Sequence, residues 1–429
     1  MQDKNERGLV GDFFCGAGGA SVGIEEFGVK VDFAVNHDQT AIRLHSRNHP
    51  STYHMTEDIF TSEVERFVAG RKVSLIWASP DCTHFSKAKG KTPRKQGIRM
   101  LPYAVYFHAA QIHPEVICME NVAEIQGWCP IEDREDVPGF GQPVKSLTGI
   151  CYKCFVAHMS HGKLEPDGRI ADTPAECRRF CDKCQVVRDG YTKCLGYDFD
   201  SRELCAADYG APTIRKRWYA VIRSDHRAIR WPKPTNSKDG VGLPAWVPAS
   251  SILDLDNYGQ SIEEPLHTIT TSPGHFGLVS VKTTDKGSFN QADRAVLERA
   301  HQVSQFLMLY YGSDIGQSID KPLRTIVTKD RFSLITVLHD GRVLLDIHLR
   351  MLSVEELKRG NGFPDDYDIS HDSRWHRIPT SEQVAKIGNA VVPSMSKAIV
   401  SANCPYLYQH DRVPFVQVSQ QQNGQFSFA

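Results

Sequence analysis

Four short apolar runs, "LVGDFF", "VDFAVNHD", "VSLIWASP" and "VICMENV", each pass into polar or reactive residues, and helical patterns separate them. Runs of this length read as buried strands. Their alternation with helices implies a parallel sheet, and the ligands of such a sheet gather at the carboxyl ends of its strands. The chemistry of the chain is therefore to be sought where those four runs stop.

With 429 residues there is room for two or three domains and a sizeable core. The 50 basic and 51 acidic residues balance, so nucleic-acid binding, if present, rests on local patches rather than on overall charge. No apolar run approaches the roughly 18 residues of a membrane span, and "MQDKNERG" at the start lacks the apolar stretch of a secretory signal. A cytoplasmic protein is expected. Twelve unevenly spaced cysteines do not make a disulfide framework, which fits a reducing compartment.

The first strand runs into "CGAGG", where Gly16, Gly18 and Gly19 open a helix. Such a turn suits the approach of a nucleotide-like ligand to a helix N-terminus, and a plain tight turn is the alternative. Asn36, His37 and Asp38 end the second strand and would lie near a ribose; Asp58 and Ile59 in "MTEDIF" would lie near an adenine ring. Taken singly, each acid also reads as a solvated loop carboxylate.

Cys82 ends "VSLIWASP", and a buried structural thiol is its ordinary reading. Against that stand six cations just beyond it, Lys87, Lys89, Lys91, Arg94, Lys95 and Arg99, with no acid from Thr83 to Pro114. Cationic surroundings favour the thiolate, the nucleophilic form. Glu120 and Asn121 close the next strand, as helix cap or as reactive pair. Arg215 and Arg217 alternate on the way into "RWYAVIR", which sends both side chains to one face.

Taken in order, "DFFCGAGG", "EDI", "SPDCTHFS", "MENV", "DYGAPTIRKR", "RMLSVEELKRGNGFPDDY" and "KIGNAVVP" resemble the DNA (cytosine-5) methyltransferases, over about residues 9–228 and 346–402. The resemblance implies a class I S-adenosylmethionine-dependent methyltransferase fold, a Rossmann-like mixed sheet with helices on both faces, plus a smaller β-rich target-recognition domain. It implies a cofactor site of Asp12, Phe13, Gly16, Gly18, Gly19, His37, Asp38, Asp58, Ile59, Pro80, Asn389 and Ala390. It makes Cys82 the nucleophile that adds to carbon 6 of cytosine, Glu120 the group at ring N3, and Asn121 a support for loop and base. Arg215, and less firmly Arg217, would contact the cytosine O2.

A cytosine inside a duplex cannot reach such a site, so the base must be flipped out. Ser86 and the six cations resemble the mobile loop that closes on double-stranded DNA when this happens, and their phosphate contacts would weaken with salt. Three positions depart from the family pattern: Asp81-Cys82-Thr83 replaces the usual Pro-Cys-Gln, His37 stands at the usual ribose-binding Glu, and Thr213 at a common Gln. Asp38 is the expected ribose carboxylate in place of that Glu. A carboxylate beside the thiol raises the thiol pKa unless Asp81 points away or the cations offset it.

The expected organisation is a catalytic domain over 1–228, a target-recognition domain over 229–345, a return to the catalytic domain over 346–405, and a polar, Gln-rich disordered tail over 406–429. Within 229–345 a stretch is duplicated: "SIEEPLHTITTSPGHFGLV" and "SIDKPLRTIVTKDRFSLIT" share a pattern at an offset of 57 residues. Within 149–194 lie Cys151, Cys154, Cys181 and Cys184, two CxxC pairs spaced for structural zinc. The stretch from Pro174 also reads as a helix whose cysteines simply pack. A monomer is expected. A DNA-binding protein without turnover and an RNA methyltransferase are the competing readings; the size of the 229–345 region favours duplex DNA, and the retained Cys82, Glu120, Asn121 and Arg215 favour turnover.

Overall fold

In a computed structural model of the chain, the residues described are 7–82, 101–127, 152–163, 166, 193–254, 260–261, 302–309, 317–326, 332–339, 344–408, 418–420 and 426–428. The four apolar runs form strands β1 (Leu9–Phe13), β2 (Phe33–Asn36), β4 (Val73–Ala78) and β5 (Val116–Asn121), with β3 (Tyr53–Thr56) as an edge. These five pair in parallel. Strand β6 (Asp198–Cys205) and strand β7 (Lys216–Arg223) complete a seven-stranded sheet of order β3-β2-β1-β4-β5-β7-β6, in which β7 runs against both neighbours.

Strand periodicity sorts the side chains into two cores. Phe13, Ile76, Ile117, Met119 and Ile222 face one side, against α3 (Val64–Val68), α4 (Leu101–Ile112) and α5 (Tyr152–Met159). Val10, Leu75, Trp77, Cys118 and Val221 face the other, where α1 (Gly19–Glu26) packs on a helix from the far end of the chain. Burial on both faces is why these strands are nearly continuous in apolar residues. The remaining helices carry sequence-legible ends: Asp38 caps α2 (Gln39–Asn48), and Ser353 with Glu356 forms a capping box on α6 (Val354–Gly360). Helix α7 (Thr380–Asn389) follows, and Pro393 opens α8 (Pro393–Asn403), the partner of α1.

A second sheet has order β10-β9-β11-β12-β8, antiparallel throughout, from β8 (Gln260–Ser261), β9 (Gln302–Leu309), β10 (Gln317–Ser318), β11 (Phe332–His339) and β12 (Leu344–Met351). The two copies of the duplicated stretch begin at its two opposite edges, β8 and β10. A third core joins the sheet to the rest of the fold: Leu334 of β11 with Leu323, Ile326, Leu357 and Ile387.

Two boundaries differ from expectation. The return to the catalytic region was placed at residue 346, but β12 continues through Met351 in the second sheet, and helix begins only at Val354. "LLDIHLRM" alternates with period two, so it satisfies a strand while forming the start of a motif. The tail expected to be disordered carries β13 (Val418–Gln420) paired with β14 (Phe426–Phe428). The basic stretch with Ser86, Lys87, Lys89, Lys91, Arg94, Lys95 and Arg99 lies outside the described residues, as do Cys151, Cys181, Cys184 and the helix expected from Pro174. Among the described residues no helix is long and apolar enough to cross a membrane.

Candidate active site

The glycine turn sits at the carboxyl end of β1. Phe14 and Cys15 donate their amides to the Val35 carbonyl, which curls the chain, and Gly16 and Gly18 then adopt φ of 51° and 81°. Gly18 caps α1 in the left-handed region, where only glycine is unstrained. Gly19 has a different reason to be glycine: a Cβ there would come within 2.0 Å of the Val391 carbonyl oxygen. Gly19→Ala is expected to lower stability by about 1–3 kcal/mol through overpacking, read as a lower Tm in thermal denaturation.

Beneath this turn lies a buried polar network. The Tyr367 hydroxyl donates to the Ala17 carbonyl at 2.6 Å, and Ser21 Oγ donates to Asp12 Oδ2 at 2.7 Å and lies 3.0 Å from His45 Nε2. Asp12 is fully buried and its Oδ1 has no protein partner, so burial pushes its pKa up to about 7 despite the Ser21 bond. An acid whose folded pKa is raised costs stability as pH rises from its unfolded value toward its folded one. Asp12→Asn is therefore expected to be more stable than wild type above pH 7, by up to about 4 kcal/mol, with the difference shrinking toward pH 4. Urea denaturation across that range measures it, and equal stabilities at pH 8 would refute it.

The next strand ends are less simple than their sequence. His37 is exposed, and Asp38 uses Oδ1 to accept from Thr40 and Ala41 while Oδ2 is ion-paired with Lys386 of α7. The cap and the lysine hold its pKa below the usual range against the opposing effect of burial. Asp38 is thus occupied as a structural tie. Asp58 is exposed and accepts from the Phe60 amide at 2.9 Å, whereas Ile59 is buried and its carbonyl meets His108 Nε2 at 2.7 Å. Pro80 is buried, Ala390 is buried, and Asn389 is exposed at the end of α7.

At the centre of the same edge, β4, β5 and β7 converge. Because β7 is antiparallel, its start lies beside the end of β5, with Trp218 opposite Asn121 and Tyr219 opposite Glu120. Glu120 is 6 % exposed, and Arg217 Nε stands 3.2 Å from its Oε1. Asn121 ties the two strand ends together, donating from Nδ2 to the Pro80 carbonyl and accepting the Val122 amide, both at 2.9 Å. Cys82, half-buried, follows two residues after that carbonyl. Burial raises the Cys82 pKa, Arg217 and Arg215 pull it down, and Glu120 and Asp81 push it up. Burial likewise raises Glu120 against the two arginines.

Arg215, 2 % exposed, gives Nη1 to the carbonyls of Gly388 at 2.9 Å and Ile326 at 3.3 Å. Burial lowers its pKa to about 10. The guanidinium within ion-pair distance of Glu120 is that of Arg217. Tyr367, Lys386 and the two carbonyls that hold Arg215 escaped the sequence reading. Tyr367 ends one quoted motif and Lys386 begins another, but a backbone carbonyl leaves no side-chain signal at all. Of the proposed zinc ligands only Cys154 is described, and it packs in the core beside Phe155 and Met159; among the described residues no cluster could hold a metal.

A seven-stranded sheet with its seventh strand reversed, and a glycine turn opening the helix after β1, is the class I S-adenosylmethionine-dependent methyltransferase fold. It is similar to the crystal structure of the Schizosaccharomyces pombe Dnmt2 methyltransferase, with a TM-score of 0.50 at 15 % identity over 92 % of this chain and 97 % of that one. The pattern of the C-5 cytosine-specific DNA methylases matches residues 9–129 and 191–403, and the chain belongs to that family. It is accordingly a DNA cytosine methyltransferase. Among curated relatives it is 24 % identical to the type II methyltransferase M.AgeI of Thalassovita gelatinovora, over 90 % of this chain and 97 % of that protein. It is 26 % identical to M.HindV of Haemophilus influenzae, over 48 % of this chain and 71 % of the relative.

Proposed function

We propose that the protein methylates carbon 5 of a flipped-out cytosine in a specific double-stranded DNA sequence through a covalent bond from Cys82 to carbon 6. The observation that carries this reading is the convergence of a half-buried thiol, a buried carboxyl and an arginine at the ends of β4, β5 and β7. Carbon 5 of cytosine is a weak nucleophile until carbon 6 has been attacked. Cys82 Sγ, as thiolate, adds there. Glu120, whose protonated form burial favours against the pull of the two arginines, would donate its proton to N3 and so neutralise the charge that the addition drives onto the ring. Arg217, which faces Glu120, would contact O2. S-adenosylmethionine supplies the electrophilic methyl group that carbon 5 takes up. Removal of the carbon 5 proton then restores the ring and expels Cys82.

The cofactor site fits the residues present: the glycine turn leaves backbone amides at the start of α1, and Asp12 Oδ1 is an orphaned carboxylate oxygen at the same strand end. Phe13, Gly16, Gly18, Gly19, Pro80, Asn389 and Ala390 would surround it. His37 or a released Asp38 would take the ribose, and Asp58 with Ile59 the adenine. The five-stranded sheet would read the target as the recognition domain, and the lysines and arginines of residues 87–99 would close on phosphates. The type II methyltransferases among the relatives favour a restriction-modification setting; a cytoplasmic monomer is the expectation from the sequence. Zinc in the 149–194 insert stays a proposal, testable by metal analysis of the purified protein.

Bisulfite sequencing of DNA from cells expressing the chain tests the function. Protected cytosines at one short motif are expected, and their absence with folded protein in the cell would leave a binding protein or an RNA substrate. The rate should be bell-shaped in pH, because transfer needs the Cys82 thiolate and the Glu120 proton in the same molecule: too few thiolates limit it on the acid side, and loss of the carboxyl proton limits it on the alkaline side. A rate that climbs monotonically to pH 10 would remove Glu120 as proton donor.

A further inference from the structure

The duplicated stretch has two copies, and the second does something besides building the sheet. Directly after β10 the chain leaves the sheet edge and lies along the approach to β7: Ile214 donates to the Leu323 carbonyl at 2.6 Å, and Leu323 donates to the Pro212 carbonyl at 2.8 Å. Thr213 forms a parallel bridge with Leu323, and its Oγ1 reaches the Arg324 carbonyl at 3.4 Å. Two residues on, the Ile326 carbonyl accepts from Arg215 Nη1, which is shared with the Gly388 carbonyl at the end of α7.

Leu323 and Ile326 are buried at 0 % and 1 % exposure, seated over Gly360 of α6, where a Cβ would stand 2.6 Å from Leu323 Cδ1. The segment is thus a short extra strand on the arginine run, anchored by two apolar side chains and continuous with a sheet edge. Arg215 is the staple that closes it. Its Nη1 is held by two carbonyls, one of them at a helix C-terminus where a cation is favoured. Two residues along the same run, Arg217 faces Glu120.

We propose that residues 323–326 are a positioning segment that couples the five-stranded sheet to the catalytic arginine run, so that seating of that sheet sets Arg217 against Glu120. The inference rests on reading the sheet as the part that contacts DNA. Leu323, Ile326 and Arg215 are positioning residues in this account, acting through Arg217. Misplacement of a catalytic group by an ångström costs about 10²-fold in rate without loss of binding.

The test uses the full chain with Leu323→Ala, Leu323→Met and Thr213→Val. Single-turnover methyl transfer to an oligonucleotide bearing the target site is expected to fall by about 10- to 100-fold in Leu323→Ala, with Kd for S-adenosylmethionine and for DNA within about threefold of wild type. Leu323→Met, which conserves volume, should restore the rate. Should Leu323→Ala not fold, Thr213→Val removes a single hydrogen bond of the seam and should slow transfer by about fivefold. Hydrogen exchange on the free proteins is the second readout. Amides of residues 213–218 should exchange faster in Leu323→Ala while those of β1–β4 do not change. Faster exchange confined to residues 318–326, or spread across the whole sheet, overturns the coupling, as does an unchanged transfer rate. A wild-type chain that transfers no methyl group would sink the proposed function instead, and the exchange experiment, which needs neither DNA nor chemistry, still decides the coupling.

Discussion

Cys82→Ser is expected to reduce methyl transfer by on the order of 10⁴-fold or more while leaving the protein folded and able to bind DNA. The size follows from the chemistry of the base. Without addition at carbon 6 the ring offers no usable nucleophile at carbon 5, so the variant loses the reaction path rather than one contribution to it. A serine hydroxyl keeps nearly the shape of the thiol, but a hydroxyl gives up its proton far less readily than a thiol and is the weaker nucleophile. The half-buried side chain accounts for little of the core, so stability should change by less than about 1 kcal/mol. Bisulfite sequencing and tritium transfer from labelled S-adenosylmethionine read the loss. Trapping on DNA carrying 5-fluorocytosine reads the covalent bond itself, and a wild-type adduct that persists in Cys82→Ser would show that another residue attacks.

The second large effect is at Glu120. Glu120→Gln keeps the shape and can still donate to N3, but it cannot transfer a proton, so a fall of about 10²- to 10⁴-fold is expected. It also leaves Arg217 facing a neutral amide in a buried place, where the ion pair at 3.2 Å had balanced it. Two consequences separate the proton from the pair. The alkaline fall of the wild-type pH profile should vanish in Glu120→Gln. Glu120→Asp keeps charge and proton but retracts the carboxyl, so it should preserve the alkaline limb at a lower rate. A Glu120→Gln profile with an unaltered alkaline limb would assign that limb to another group.

The strands that end in reactive residues were legible because burial on both faces writes a continuous apolar run, and the reactive residue is whatever follows it. The direction of β7 was not. "RWYAVIR" reads as a strand in either sense, and only pairing with β5 reverses it and brings the arginines to Glu120. Strand β6, with five half-buried positions among "DFDSRELC", hid for lack of an apolar run. In the site, Cys82 and Glu120 were singled out by chemical type, whereas the surroundings of Arg215 could not be read, because its partners are main-chain oxygens from residues 326 and 388. Asp38 looked available because Lys386, 348 positions away, cannot be seen locally.

The packing of α1 against α8 sets a timetable for biosynthesis. Helix α1 emerges among the first residues made, yet Gly19 abuts Val391, Gly23 abuts Pro393, and the hydroxyl that holds Ala17 belongs to Tyr367. While the ribosome is still translating the five-stranded sheet, the glycine turn has neither its roof nor its prop, and the apolar side of α1 faces water. Contacts so distant along the chain make assembly slow and leave the nascent protein exposed to aggregation. They also mean that the methyl donor finds a finished pocket only on chains synthesised nearly to the end, so a truncated product that still carries Cys82 would have no means of modifying the genome.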